Sequence, residues 1–123
     1  MIAESTCGAS CPVPSHDHPL GVLPLEHAEP VAQWFKILAD PTRVRIVAAL
    51  AQGERCVCDL AARLAMTPSA LSHQLRTLRV QRIVTPRRVG TTIYYRVTDD
   101  HIRSILQMTL AHLADHLPTG HSR

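Results

Sequence analysis

Four cysteines in two close pairs are the residues of this 123-residue sequence that most directly suggest chemistry. Cys7 and Cys11 lie near the N-terminus, whereas Cys56 and Cys58 lie at the expected start of a helix. Thiolates at a helix start are stabilised by backbone N–H groups without intrahelical partners and by the positive end of the helix dipole. Four thiolates would form a soft site for Cd²⁺, Pb²⁺ or Zn²⁺. The spacing alone leaves open a structural zinc site, cysteines without a ligand role and a redox switch.

A second group of metal-ligand residues lies at the two ends of the last predicted helix. Asp99 and His101 open this helix, and His112 and Asp115 lie near its end, with His116 as a substitute ligand. His101 and His112 share a face but are separated by roughly 16 Å along the axis, so one helix cannot bind one ion with both. Two antiparallel copies across a two-fold axis would instead form two symmetric sites suited to Zn²⁺. Polar residues at the solvated ends of a helix are the plain alternative.

The charges of the chain are unevenly distributed. The net charge is +3, yet residues 41–96 contain ten arginines against two carboxylates, Glu54 and Asp59, which gives a local balance of +8. A basic middle segment between acidic ends favours contact with a polyanion through one face, so nucleic acid is the expected partner. No apolar run approaches a membrane span and no signal-peptide pattern is found, so we expect a cytoplasmic protein. In that reducing compartment, thiols are more often ligands or reactive groups than disulfides.

The elements that must position these groups are mainly helical. Apolar spacings of three and four predict a helix from near Glu26 that ends before Asp40-Pro41, and a second that begins with Asp40 as its N-cap and Pro41 at its first position. A third is predicted to begin around Cys56 to Asp59, and a fourth to run from its Thr67 cap and Pro68 to about Val80. Residues 83–85 and 92–97 are rich in β-branched and aromatic residues and predict a two-stranded hairpin. A last amphipathic helix is predicted to begin after a cap at Asp99 or Thr98. We expect a flexible arm (1–25), one folded domain (26–118) and a short tail (119–123).

Two short helices joined by a tight turn and followed by a hairpin indicate a winged helix-turn-helix. On the second of these helices Leu71, Leu75 and Leu78 share one face. The residues away from that face are predicted to contact base edges and phosphates: Ser69, Ser72, His73 and Arg76. Arg87 and Arg88 of the hairpin should add phosphate contacts, so affinity should fall with salt. A solvated helix face is the alternative for each residue taken alone.

These segments together resemble the ArsR/SmtB family of metalloregulatory repressors, and most closely its CadC-type cadmium- and lead-sensing branch. The resemblance covers nearly the whole chain and rests on residues 38–43, 56–60, 72–78 and 100–103 and on Ala111-His112. It implies a homodimer that occupies operator DNA when metal-free and releases it when metal binds, which derepresses efflux or sequestration genes.

The same resemblance implies two sets of metal ligands. The thiolate set is Cys7, Cys11, Cys56 and Cys58, and the inter-subunit set on the last helix is Asp99, His101, His112 and Asp115. Relatives often have Glu at the position of Asp115. The inducing metal, the site that controls DNA release, the operator, and whether the arm ligates within or across subunits all stay open.

Two other functions compete with a metal-responsive repressor. One is a thiol-based, redox-responsive DNA-binding regulator that uses Cys56 and Cys58, and the other is a metal carrier or thiol enzyme without DNA targets. The chain shows neither a nucleophile–base–orienter set nor a phosphate-binding loop, so we expect no enzymatic activity.

Overall fold

The computed structural model describes residues 21–116, so Cys7, Cys11, most of the predicted arm and the predicted tail lie outside the described residues. Within that range the chain forms five helices and three strands. They are α1 (Leu25–Leu38), α2 (Pro41–Ala51), β1 (Arg55–Cys56), α3 (Val57–Leu64), α4 (Pro68–Val80), β2 (Val84–Val89), β3 (Thr92–Val97) and α5 (Asp100–Ala114). None of these helices is both long and apolar enough to cross a membrane.

Three helices begin at the side-chain caps that the sequence predicts. Asp40, Thr67 and Asp99 each accept a hydrogen bond from a backbone N–H in the first turn of the helix that follows, at 3.0–3.3 Å. Pro41 and Pro68 occupy the first positions of α2 and α4, where no N–H donor is needed. Each cap contributes about 1 kcal/mol to stability. Local chemistry therefore sets where these helices begin.

The turn between α3 and α4 is tight and is held by backbone hydrogen bonds. Ala65 adopts a left-handed conformation with φ of 55°, and the Met66 N–H donates to the Ala61 carbonyl at 3.0 Å. This pattern satisfies carbonyls at the end of α3 that have no intrahelical partner. The turn fixes the angle at which α4 leaves α3.

The sheet contains three antiparallel strands, one more than the predicted two-stranded hairpin. The hairpin is present, with Val84 opposite Val97 and Val89 opposite Thr92. The additional strand β1 places Cys56 opposite Tyr94 on β3. A strand of two residues has no alternating pattern, and for that reason sequence reasoning missed it.

The third helix begins within the predicted range, Cys56 to Asp59. It begins at Val57, and Cys56 is its N-cap and at the same time the last residue of β1. The first helix begins at Leu25, next to the predicted start near Glu26. Both cysteines therefore lie at one helix start, as predicted, and Cys56 is held in addition by the pairing of β1 with β3.

The core is made of aliphatic side chains from α2, α3, α4 and the hairpin. Leu71, Leu75 and Leu78 of α4 are all fully buried, as the helical spacing predicts, and no polar or charged residue is buried in the described part of the chain. Burial of a leucine side chain stabilises the fold by roughly 1.5–3 kcal/mol. The opposite face of α4 is consequently free to meet a ligand.

Two helices leave apolar side chains in solvent. α1 has no fully buried residue, and α5 has only Ile102. Val31 and Phe35 of α1 and Leu110 and Leu113 of α5 are exposed. Val31 and Phe35 also line an apolar cleft of about 330 Å³ with Ile105 of α5. We call this exposed surface of α1 and α5 the apolar face.

Candidate nucleic-acid interface and metal-ligand residues

The four α4 residues predicted to contact DNA all lie on the exposed side of that helix. They are Ser69, Ser72, His73 and Arg76. Because the three leucines of the opposite side are locked in the core, the rotation of α4 about its axis is fixed. The exposed side presents hydroxyl, imidazole and guanidinium groups, which are the groups that read base edges and bind phosphates.

Arg79 is an exposed residue of this surface that sequence reasoning missed. It lines a cleft of about 250 Å³ between α4 and the hairpin, together with Pro86, Arg88 and Ile93. The helical period could have found it, because seven residues return to almost the same direction and so align Arg79 with Ser72. Two arginines at one cleft form a site suited to phosphate oxygens.

Arg87 has an internal partner that the sequence did not predict. Its Nε donates to Oε2 of Glu54 at 2.9 Å, a second guanidinium nitrogen donates to the other carboxylate oxygen, and the guanidinium carbon lies 5.5 Å from the centroid of the Tyr94 ring. Hydrogen bonding from Arg87 lowers the pKa of Glu54 below its ordinary value of 4.5, and the same contact raises the pKa of Arg87. Glu54 therefore balances the charge of Arg87.

Arg88 differs from its neighbour although both lie on β2. Successive residues of a strand point to opposite faces, so Arg88 projects away from the Glu54 side. It is exposed and lines the cleft that also contains Arg79. Of the two hairpin arginines predicted to bind phosphate, only Arg87 forms an ion pair within residues 21–116.

The described pair of cysteines lies beside the predicted DNA surface. Cys56 is half-buried, Cys58 is exposed, and both are free thiols. They line a cleft of about 320 Å³ together with Ser72 of α4 and residues 91–93 of the hairpin. Within residues 21–116, no group of three or more Cys, His, Asp or Glu side chains could hold a metal. The described residues of one chain therefore do not complete a metal site around this pair of cysteines.

The last-helix residues are divided between the two ends of α5, as their spacing predicts. At the start, Oδ1 of Asp99 lies 3.5 Å from Nδ1 of His101, and the imidazole is almost fully exposed. At the end, the rings of His112 and His116 have centroids 4.5 Å apart, and Asp115 is the C-terminal cap. One chain does not bring the two ends together.

Comparisons with known proteins agree on one family and one fold. Residues 40–85 match the sequence profile of the family described as bacterial regulatory protein, arsR family. The chain is 48% identical over 94 residues to a transcriptional repressor SmtB homolog from Synechocystis sp., covering 76% of this chain and 71% of that protein. It is 37% identical over 83 residues to a cadmium resistance transcriptional regulatory protein CadC homolog from Staphylococcus aureus, covering 67% and 69%.

A solved structure extends the similarity to most of the chain. The solution structure of a homodimeric winged helix-turn-helix DNA-binding domain from Mycobacterium bovis matches with a TM-score of 0.71 and 30% identity. The match covers 85% of this chain and 98% of that domain. The winged helix-turn-helix predicted from the sequence is thereby confirmed.

Proposed function

Because this chain belongs to the ArsR family, whose members are DNA-binding transcriptional regulators rather than enzymes, we propose that it is a homodimeric, metal-responsive repressor. In this proposal the metal-free protein occupies operator DNA, and binding of Cd²⁺, Pb²⁺ or Zn²⁺ releases it and derepresses efflux or sequestration genes. The observation that carries the proposal is the cleft that Cys56 and Cys58 share with Ser72 and the hairpin. A metal held there lies at the edge of the DNA surface.

Operator binding would use α4 and the hairpin. Ser69, Ser72, His73 and Arg76 would enter the major groove, while Arg88 would contact phosphates beside it. The excess of arginine between residues 41 and 96 supports this assignment. Arg87 would be kept from phosphate by its ion pair with Glu54.

The thiolate site would be completed by the N-terminal arm. Cys56 and Cys58 are accessible to a ligand in one cleft, and their donors are soft, so they fit a thiophilic cation. Cys7 and Cys11 would add two thiolates, from the same subunit or from its partner. The cadmium resistance named in a relative supports Cd²⁺ as an inducer. A metal bound by these four thiolates would supply positive charge and would link the arm to the start of α3.

Homodimer formation would cover the apolar face. α1 and α5 expose aliphatic and aromatic side chains that a second copy would bury across a two-fold axis. The matching domain from M. bovis is described as homodimeric, which supports the same arrangement here. If two α5 helices pack antiparallel, Asp99 and His101 of one copy meet His112 and Asp115 of the other, which would form the second predicted site.

Metal releases DNA only if it binds the low-affinity conformation more tightly, and the coupling between the two ligands is reciprocal. The proposed dimer would have two conformations that differ in the separation of the two α4 helices. Ligands that bridge subunits, or that join the arm to the segment preceding α4, would favour one separation over the other.

The proposal is tested by titrating operator DNA with the full-length dimer in the absence and presence of Cd²⁺, Pb²⁺ and Zn²⁺. We expect metal to weaken operator binding by about 5- to 150-fold. Cys56→Ser and Cys58→Ser should abolish the response to Cd²⁺ and leave metal-free binding intact. His101→Ala tests the last-helix site, and Ser104→Ala on the same helix is its control. A response to peroxide but to none of the three metals would favour the redox alternative.

A further inference from the structure

One side chain connects helices that the proposed function assigns to different tasks. Arg43 lies in the first turn of α2 and donates from Nε to Oε1 of Gln74 on α4 at 2.9 Å. A terminal guanidinium nitrogen of Arg43 donates to the carbonyl of Ile37 on α1 at 3.1 Å. Otherwise α1 packs mainly on α2, whereas α4 packs on α3 and β2. Arg43 therefore joins the recognition helix to a helix of the apolar face.

The environment of Arg43 holds the guanidinium in one orientation. The Arg43 N–H is bound by the Asp40 cap at 3.1 Å, which fixes the backbone from which the side chain extends. Ile37 lies in the last turn of α1, where carbonyls lack intrahelical partners and readily accept an external donor. Because the guanidinium is planar and rigid, the two acceptors fix its plane at both ends.

Gln74 differs from the polar residues predicted to read DNA. It is half-buried, on the side of α4 next to the fully buried Leu75, whereas Ser72, His73 and Arg76 are exposed. Its side-chain oxygen is already occupied by Arg43. Gln74 thus faces the body of the protein and is placed to control the orientation of α4.

We propose that Arg43 is a positioning residue for operator binding, which fixes α4 relative to α1 by bridging Gln74 and the Ile37 carbonyl. This inference rests on the proposed function, because α1 matters only if two copies pair through the apolar face. A dimer reads two half-sites about one DNA turn apart, roughly 34 Å. A tilt of α4 in each subunit changes the separation of both recognition helices, so Arg43 restricts the half-site spacing that the dimer accepts.

The test uses the full-length protein and a duplex that wild type selects from a random library. Affinity is measured on this duplex and on versions with one base pair added or removed between the half-sites. Arg43→Met and Gln74→Met should each lose about 10-fold in affinity on the selected duplex, since each breaks a charge-assisted hydrogen bond. Both variants should also discriminate less between the three half-site spacings. The double variant should bind the selected duplex no more weakly than the single variant with the lower affinity.

Two further variants separate positioning from a loss of charge or volume. Arg45→Met removes the same charge from an exposed site on α2 and should keep the wild-type spacing preference. Gln74→Glu keeps an acceptor for Arg43 and should keep that preference as well. These controls distinguish positioning of α4 from a general effect on stability, because a merely structural role would not change the preferred half-site spacing.

A folded Arg43→Met protein with the wild-type spacing preference would overturn the inference. If Arg43→Met does not fold, Gln74→Met decides the question, because Gln74 lies outside the buried core. A wild-type preference in Gln74→Met would likewise overturn it. If wild type selects no duplex at all, the proposed function fails and this inference fails with it. If wild type does select a duplex, the variants test the role of Arg43 separately from the proposed function.

Discussion

The two exposed surfaces of this chain are built from the same kind of amphipathic helix but differ in which side is covered. In α4 the leucine stripe faces the core of its own chain, and Leu75 is 0% exposed. In α1 and α5 much of the apolar stripe faces solvent, and Phe35 and Leu110 are 53% and 56% exposed. The predicted DNA surface is therefore formed by residues of one chain, whereas the apolar face is left uncovered by the described part of its own chain. Apolar periodicity shows that a helix side will be covered, but not which chain covers it.

Of the variants that test this comparison, we expect the largest loss of dimerisation and operator affinity from a charge placed on the apolar face. Phe35→Glu would place two carboxylates in a symmetric interface without partners, so we expect a monomer with operator affinity reduced by at least about 100-fold. Sedimentation and operator titration measure the two outcomes. Gln33→Glu puts the same charge at an exposed neighbouring position of α1 and should stay dimeric. A dimeric Phe35→Glu protein would remove α1 from the proposed interface.

Matched truncations of buried and exposed leucines sharpen the same contrast. Leu75→Ala should lower the free energy of unfolding by about 2–5 kcal/mol at every protein concentration, because it opens a cavity in the core of one chain. Leu110→Ala should lower the apparent stability only where dimer formation contributes to it, so its effect should depend on protein concentration. Urea unfolding at low and high concentration distinguishes them, and equal concentration dependence for both variants would contradict the comparison.

Within the predicted DNA surface, α4 should contribute to base preference, whereas the hairpin should contribute affinity that is the same for all sequences. Arg76→Ala should cost about 1–3 kcal/mol and relax the preference at one base position of each half-site. Arg88→Ala should weaken all duplexes alike and reduce the slope of log affinity against log salt by about one per subunit. Affinities for a set of single-base operator variants at several salt concentrations measure both effects. An Arg88→Ala protein with altered base preference would show that the hairpin also reads sequence.

The smallest effect is expected at the ion pair that balances Arg87. Glu54→Gln removes the carboxylate and frees the guanidinium, so operator affinity near neutral pH should rise by about two- to fivefold. Glu29→Gln on α1 removes the same charge far from the hairpin and should have no such effect. Unchanged affinity in Glu54→Gln would show that Arg87 has no access to phosphate even without its partner.

The pH dependence of this difference follows from the lowered pKa of Glu54. Because the folded pKa is below the ordinary value, the stabilising ion pair is fully present above the pH at which an unfolded glutamate titrates. It is lost as pH falls through the lowered pKa. The affinity difference between wild type and Glu54→Gln should therefore disappear in that acidic range, which binding measurements over a pH series will show.

Much of the fold and part of the candidate site follow from the sequence by itself. Asp40-Pro41 and Thr67-Pro68 determine the starts of α2 and α4, because a cap and its helix interact within three residues. The same holds for the leucine stripe of α4, since helical geometry alone aligns residues three and four apart. The separation of His101 from His112 is likewise set by the rise of a helix.

Tertiary structure decided the features that join distant parts of the chain. β1 exists only because it pairs with β3, Glu54 meets Arg87 across 33 residues, and Arg43 meets Gln74 across 31. A single side chain has many potential partners at such separations, and only the packing of the core selects one of them. The apolar face follows from the same cause, because the sequence determines which side of a helix is apolar, whereas packing determines which side is left uncovered.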